Sequence, residues 1–219
     1  MMERKLVIIG AGGLAREIFH VSQDTAIGSE RDRWKPMAFV VDSEFKTLPQ
    51  VEGIPVVEFD KIDNIVESDT SFIIAVGDPG LRQRMCDKLF FMVPNVKYGS
   101  VIHKSAVILP KTVIEEGVYI APNVTITTDC FIGKHVVITQ NTSIGHDCNI
   151  ASFSVVCPGC VLSGWTSVGK GSFLGSSVIL YPKVKVGENC VVSAGAVVAR
   201  NLRDGHKQIL KPNTMTLPA

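Results

Sequence analysis

From Ile102 to Val198 every sixth residue is isoleucine, leucine or valine, seventeen positions in succession, and few folds are open to a chain with that period. The anchors are Ile102, Ile108, Ile114, Ile120, Ile126, Ile132, Ile138, Ile144 and Ile150, then Val156, Leu162, Val168, Leu174, Leu180, Val186, Val192 and Val198. Only 46% of the chain is hydrophobic, so chance does not produce such a run. Two residues before the anchors lies a second series of mostly small side chains, among them Ala106, Thr112, Cys130, Thr142, Cys148, Ser154, Cys160, Thr166, Ser172, Cys190 and Ala196. Alternation along a strand puts residues i and i+2 on one face, so both series point the same way. The residue after an anchor is often glycine, as at Gly133, Gly145, Gly169, Gly175 and Gly187. That suits a sharp corner or a close approach of two backbones.

A hexapeptide period is the mark of a parallel β-helix, in which three hexapeptides make one triangular coil. Residues eighteen apart therefore stack on adjacent coils, and about 4.8 Å between strands gives a prism roughly 25 Å long. Packing then accounts for most of the six cysteines: Cys130, Cys148, Cys160 and Cys190 fall in the small inner series. Cys130 and Cys148 stack but read as reduced thiols. Cys157-Pro158-Gly159-Cys160 lacks the βαβ setting of a redox motif.

The first residues have a different pattern. Lys5 to Ile9 reads as a buried strand, then Gly10-Ala11-Gly12-Gly13-Leu14-Ala15 leads into a helical stretch through His20. Strand, glycine turn and helix place backbone N–H groups where a nucleotide phosphate is held, although the glycines also suit a tight turn and nothing more. Further strands are expected over Met37–Val41, ending at Asp42, and over Ser71–Val76, ending at Gly77. Gly53–Val57 is a short extended piece, Leu81–Phe90 a helix with Arg82 and Arg84 as polar residues, and Asp24–Pro36 an irregular surface connection. The chain thus divides into a small Rossmann-like βαβ domain at 1–95 and a β-helix with a tail at 96–219. The first is too short for a full dinucleotide fold, and a mononucleotide or nucleotide-sugar moiety fits its size better.

A formal charge of +1 provides no broad electrostatic reason to bind nucleic acid or a membrane surface. No apolar run reaches the length that spans a bilayer, and with no secretory leader the expected location is cytoplasmic.

Of five histidines, His20, His103, His135 and His206 have no evident partner in sequence. His146 lies two residues after an anchor, hence outside the prism near a corner, and the residue stacked one coil on is Gly164. An imidazole beside such a notch suits a general base, with Asp147 placed to orient it, yet an ordinary surface histidine fits the spacing as well. No metal site is expected, for no other ligand cluster has suitable spacing.

Taken together, Gly10-Ala11-Gly12-Gly13, Phe39-Val40-Val41-Asp42, Ile73-Ile74-Ala75-Val76-Gly77, Ile138-Thr139-Gln140-Asn141-Thr142 and Gly145-His146-Asp147-Cys148-Asn149-Ile150 resemble the NeuD/PglD-like family of bacterial sugar acyltransferases. The likeness covers nearly the whole chain. It implies a left-handed β-helix, a homotrimer, and transfer of acetyl from acetyl-CoA to the amino group of a nucleotide-linked amino sugar. It makes His146 the base and Asp147 its acidic neighbour. Gly12, Gly13, Leu14, Asp42 and Gly77 fall on the substrate side, and Gly164 and Ala194 on the coenzyme A side.

Some positions depart from the family pattern. Val155, nine residues after the base, stands where relatives often carry a polar residue or histidine in contact with cofactor or substrate. Leu14 replaces a histidine or small residue, and Leu210-Lys211-Pro212-Asn213 stands in for the Gly-x-Pro-Ala ending near coenzyme A. In the implied mechanism the amine attacks the thioester directly, so Cys148 is not needed as a nucleophile. The competing expectations are O-acetylation of sialic acid or another sugar, and a β-helix that serves only as a scaffold.

Overall fold

The computed structural model describes residues 3–24 and 33–209. The altered tail at Leu210-Lys211-Pro212-Asn213 and most of the expected connection between Asp24 and Pro36 lie outside the described residues.

The N-terminal domain is a five-stranded sheet in the order β3-β4-β2-β1-β5. Its strands are β1 (Glu3–Ile9), β2 (Arg33–Val41), β3 (Gln50–Val51), β4 (Ile54–Glu58) and β5 (Ser71–Ile74), parallel except for the β3–β4 hairpin. Leu6 to Ile9 are fully buried, as expected of a central parallel strand covered on both faces. Strand β2 begins well before Met37. Proline cannot donate to a ladder, and the register slips just past Pro36, from Leu6↔Pro36 to Val7↔Ala38. There β2 still pairs on one side only, because β4 joins from Phe39 onward.

Helix α1 (Gly13–Ser22) follows the glycine turn, and α2 (Pro79–Met92) starts two residues earlier than the apolar pattern indicates. Asp78 caps α2 by accepting from the Leu81 N–H at 2.7 Å, and Pro79 occupies the first turn, where no N–H is required.

Residues 101–208 form the prism. Each rung is a two-residue strand, from β6 (Val101–Ile102) through β22 (Val197–Val198), with β23 (Lys207–Gln208) closing the end. Up to β19 (Ile179–Leu180) every rung pairs in parallel with the rung eighteen residues on, as in Thr125↔Ser143, Phe131↔Asn149 and Val137↔Val155, and the last coil closes two residues sooner, with Val191↔Lys207. Three sheets result, and the coil is left-handed. The first face holds Val107, Thr125, Ser143, Val161, Ile179 and Val197, the second Val113, Phe131, Asn149, Ser167 and Lys185. The third holds Val101, Tyr119, Val137, Val155, Phe173, Val191 and Lys207.

The corners turn through a left-handed residue three after each anchor from Ile108 to Val192. Lys111, Gly117, Asn123, Asp129, His135, Asn141 and Asp147 begin a series of positive φ that continues every sixth residue to Gly195. The glycines that directly follow an anchor serve close approach instead. A Cβ on Gly145 would lie 2.7 Å from the Gly164 nitrogen, and one on Gly175 2.5 Å from the Ala194 nitrogen.

Inside, the small polar series ties coil to coil. Ser154 and Ser172 hydroxyls and the Cys130, Cys148 and Cys160 thiols donate to carbonyls fifteen residues on, at 2.7–3.3 Å. All six cysteines are free, and burial pushes the Cys157 and Cys160 thiols up to about 11, away from thiolate chemistry.

The N-terminal domain lies against the third face. Outward side chains there are buried on its first four rungs, Tyr119 at 0% and Val155 at 3% exposed, whereas Val107 and Val161 on the first face are 51% and 43% exposed. Arg82 locks the junction. It is fully buried, not a solvated helix residue, and its guanidinium donates to the carbonyls of Val76, Gly77 and His135 at 2.6–3.3 Å. Burial draws its pKa down to about 10, and the group stays charged.

Candidate active site

His146 stands on the prism edge between the first and second faces. The hexapeptide places it there: Ile144 anchors one rung, Ile150 the next, and the chain turns between them. Asp147 takes the left-handed position, φ 57°, and its Oδ2 lies 2.8 Å from His146 Nδ1. A carboxylate only accepts, so the ring proton sits on Nδ1 and Nε2 keeps its lone pair. Both side chains are close to half exposed, 46% and 44%, which leaves the imidazole open to a substrate.

The notch foreseen at Gly164 is present. A Cβ at that position would lie 2.7 Å from both Nε2 and Cε1 of His146, so only glycine leaves the imidazole where it is. Trp165, not foreseen as a site residue, flanks the ring edge-to-face, with centroids 4.4 Å apart and planes at 87°. Its position eighteen residues after Asp147 was the available signal.

The second constellation lies in the N-terminal domain. A cavity of about 820 Å³ opens at the C-terminal ends of the parallel strands, and Gly12, Gly13, Leu14, Asp42 and Gly77 all line it. Gly10 turns the chain at φ 111°, and a Cβ there would meet the Ala75 carbonyl at 2.9 Å. Gly12 and Gly13 have nothing within 4 Å of a would-be Cβ, so their missing side chains leave room in the cavity rather than relieving a clash. Gly12 is the N-cap of α1 without a side-chain cap, and the first turn carries no acidic residue, as an anion site requires. The Asp42 carboxylate is paired with Lys88 of α2, whose ammonium lies 4.5 Å from the Phe59 ring centroid.

The chain does not bring every expected residue together. Ala194 is exposed, but on the edge between the third and first faces, so the first face separates it from His146 and Gly164. Val155 faces outward on the third face and is buried, so it offers no contact surface beside His146. Every residue lining the cavity belongs to the N-terminal domain, and the edge bearing His146 is the one opposite the face that this domain covers.

His20 and His103 have partners in Glu52 and Ser105, at 3.1 and 2.8 Å. His135 is buried under α2, stacked on Phe153 with its Nε2 3.4 Å from the Cys86 sulfur. No group of three or more potential metal ligands occurs among the described residues.

Two family models match in tandem: the PglD N-terminal domain over residues 5–89 and the GMPPB C-terminal domain over residues 96–207. Among solved structures, a histidine-to-asparagine variant of perosamine N-acetyltransferase from Caulobacter crescentus, in complex with CoA and GDP-perosamine, is 30% identical. It aligns over 92% of this chain and 91% of its own with a TM-score of 0.80. PerB from Caulobacter crescentus, in complex with CoA and GDP-perosamine, is 31% identical over 91% and 90% of the two chains, TM-score 0.78. The acetyltransferase domain of PglB from Neisseria gonorrhoeae, in complex with acetyl coenzyme A, shares the fold at 24% identity over 94% and 96%, TM-score 0.80. The chain belongs to the family of hexapeptide-repeat sugar acetyltransferases that carry a PglD-type N-terminal domain.

Proposed function

We propose that this chain transfers an acetyl group from acetyl-CoA to the amino group of a nucleotide-linked amino sugar, with His146 as the general base. The observation that carries this reading is the His146 ring itself: Nδ1 is held by Asp147 while the basic Nε2 faces the Gly164 notch. The relatives solved with CoA and GDP-perosamine support the substrate class. The amine attacks the thioester carbonyl carbon, and Nε2 takes the proton that the nitrogen must lose. The Gly164 N–H donates to no backbone carbonyl among the described residues and is available to the oxyanion. The tetrahedral intermediate then expels coenzyme A as its thiol, the imidazolium returning the proton. No acyl-enzyme forms, and the nearby Cys148 thiol points into the prism, buried.

The working unit in this proposal is a homotrimer. Within one chain the cavity and His146 are on opposite sides of the prism, so a sugar held by one subunit reaches the base of another. Exposed Val107, Val161 and Val197 on the first face, beside the His146 edge, supply apolar surface for such an interface. Coenzyme A would run near Gly164 and, across the subunit boundary, toward Ala194. We place the enzyme in the cytoplasm, where acetyl-CoA is available, and its six free thiols agree with that.

The test is release of free thiol from acetyl-CoA across UDP-, dTDP- and GDP-linked amino sugars, with free sialic acid as a separate arm. Turnover with an amino sugar is expected. Turnover with sialic acid alone would replace N-acetylation by O-acetylation.

A further inference from the structure

Trp165 is 53% exposed, and its backbone sits at φ 59°, in the left-handed region that a bulky side chain adopts at a steric cost. The same corner position holds Phe153 as well, but that ring is stacked on His135 at 5.0 Å. Trp165 has no comparable burial. The corner does not need an indole either. The Trp165 N–H donates to the His146 carbonyl at 2.9 Å, and Asp147 and Lys183 make the equivalent bonds on the coils to either side. What distinguishes Trp165 is the edge-to-face contact with His146, while Lys183 Nζ lies 5.7 Å from the indole centroid.

We propose that Trp165 is a positioning residue for His146, holding the imidazole in the one orientation that keeps Nδ1 on Asp147 and Nε2 over the Gly164 notch. This rests on His146 being the base. The Asp147 hydrogen bond fixes one ring atom, and a half-exposed imidazole held at one point still swings about it. An indole set perpendicular to the ring removes that freedom. Lys183 holds the indole in turn through a cation–π contact. The arrangement matters for rate because a base displaced by about 1 Å costs on the order of a hundredfold.

The test joins kinetics to fluorescence. Trp165→Ala is expected to lower kcat about tenfold or more with KM for both substrates held within about twofold, and Trp165→Phe to recover most of the loss. The protein has two tryptophans, and Trp34 is buried with its Nε1 donating to the Ser100 carbonyl. The difference in emission between the native protein and Trp165→Phe therefore isolates Trp165. An imidazolium in contact quenches an indole, so this difference emission should fall on acidification, and the fall should vanish in His146→Asn. An unchanged kcat in Trp165→Ala, a raised KM at constant kcat, or emission indifferent to His146 would each overturn the proposal. Full turnover by His146→Asn would instead remove the base assignment while leaving the fluorescence coupling in place.

Discussion

Gly164 and His146 are joined by a missing atom: a single methyl on the glycine would lie 2.7 Å from Nε2. Gly164→Ala should therefore push the imidazole off its Asp147 contact without disturbing the rungs on either side. We expect kcat to fall on the order of a hundredfold, with unchanged circular dichroism. Near-normal turnover would show that the ring need not occupy the notch.

Asp147→Asn keeps the side-chain size but removes the charge that opposes the imidazolium and selects the Nδ1–H tautomer. The expected effect is a loss in kcat of about 10–1,000-fold, less than for a buried triad aspartate because Asp147 is half exposed. Steady-state kinetics at low and high salt check this, and a loss confined to KM would contradict it.

In the other half of the site, Gly12→Val adds a side chain to open space within the cavity. Gly12 has φ −80°, which any residue adopts, so the fold should tolerate the change. KM for the nucleotide sugar should rise about tenfold or more while KM for acetyl-CoA stays constant. Equal effects on both substrates would detach this cavity from the nucleotide.

The junction between the domains should weaken in mild acid. His135 is 2% exposed, and burial lowers its pKa from 6.5 to about 4, so the unfolded chain takes up a proton that the folded chain refuses. This contribution is fully present above pH 6.5 and is lost as pH falls from there toward 4, by about 3 kcal/mol in all. Urea unfolding of the native protein and of His135→Gln at several pH values tests it. The variant should show a shallower decline over that window, and parallel declines would refute the assignment.

Much of the prism could be read directly from residues six and eighteen apart. That arithmetic placed His146 outside, set Gly164 beside it, and made packing groups of Cys130, Cys148, Cys160 and Cys190. It did not reveal His135 or Arg82. A repeat defines which way a side chain points relative to its own coil, but not which face a second domain will cover, so a corner histidine and a helix arginine both read as solvated. Within one chain Val155 and Ala194 lie away from His146 for a related reason. A family likeness aligns positions along the chain, whereas the coil distributes them over different faces and edges of the prism. Spacing stacks Trp165 on Asp147, one coil on, but does not encode the lean of the indole that brings it against the His146 ring.

The three-sided coil also constrains how this lineage can change length. Removing eighteen residues from the stretch between the N-terminal domain and His146 would shorten the column by one layer and return the base to the same edge. Removing six would carry every later residue around by a third of a turn, and the imidazole would emerge on a different edge, facing a different neighbour. Insertions and deletions compatible with activity should therefore come in whole layers, or as loops bulging from a corner that leave the count of rungs unchanged.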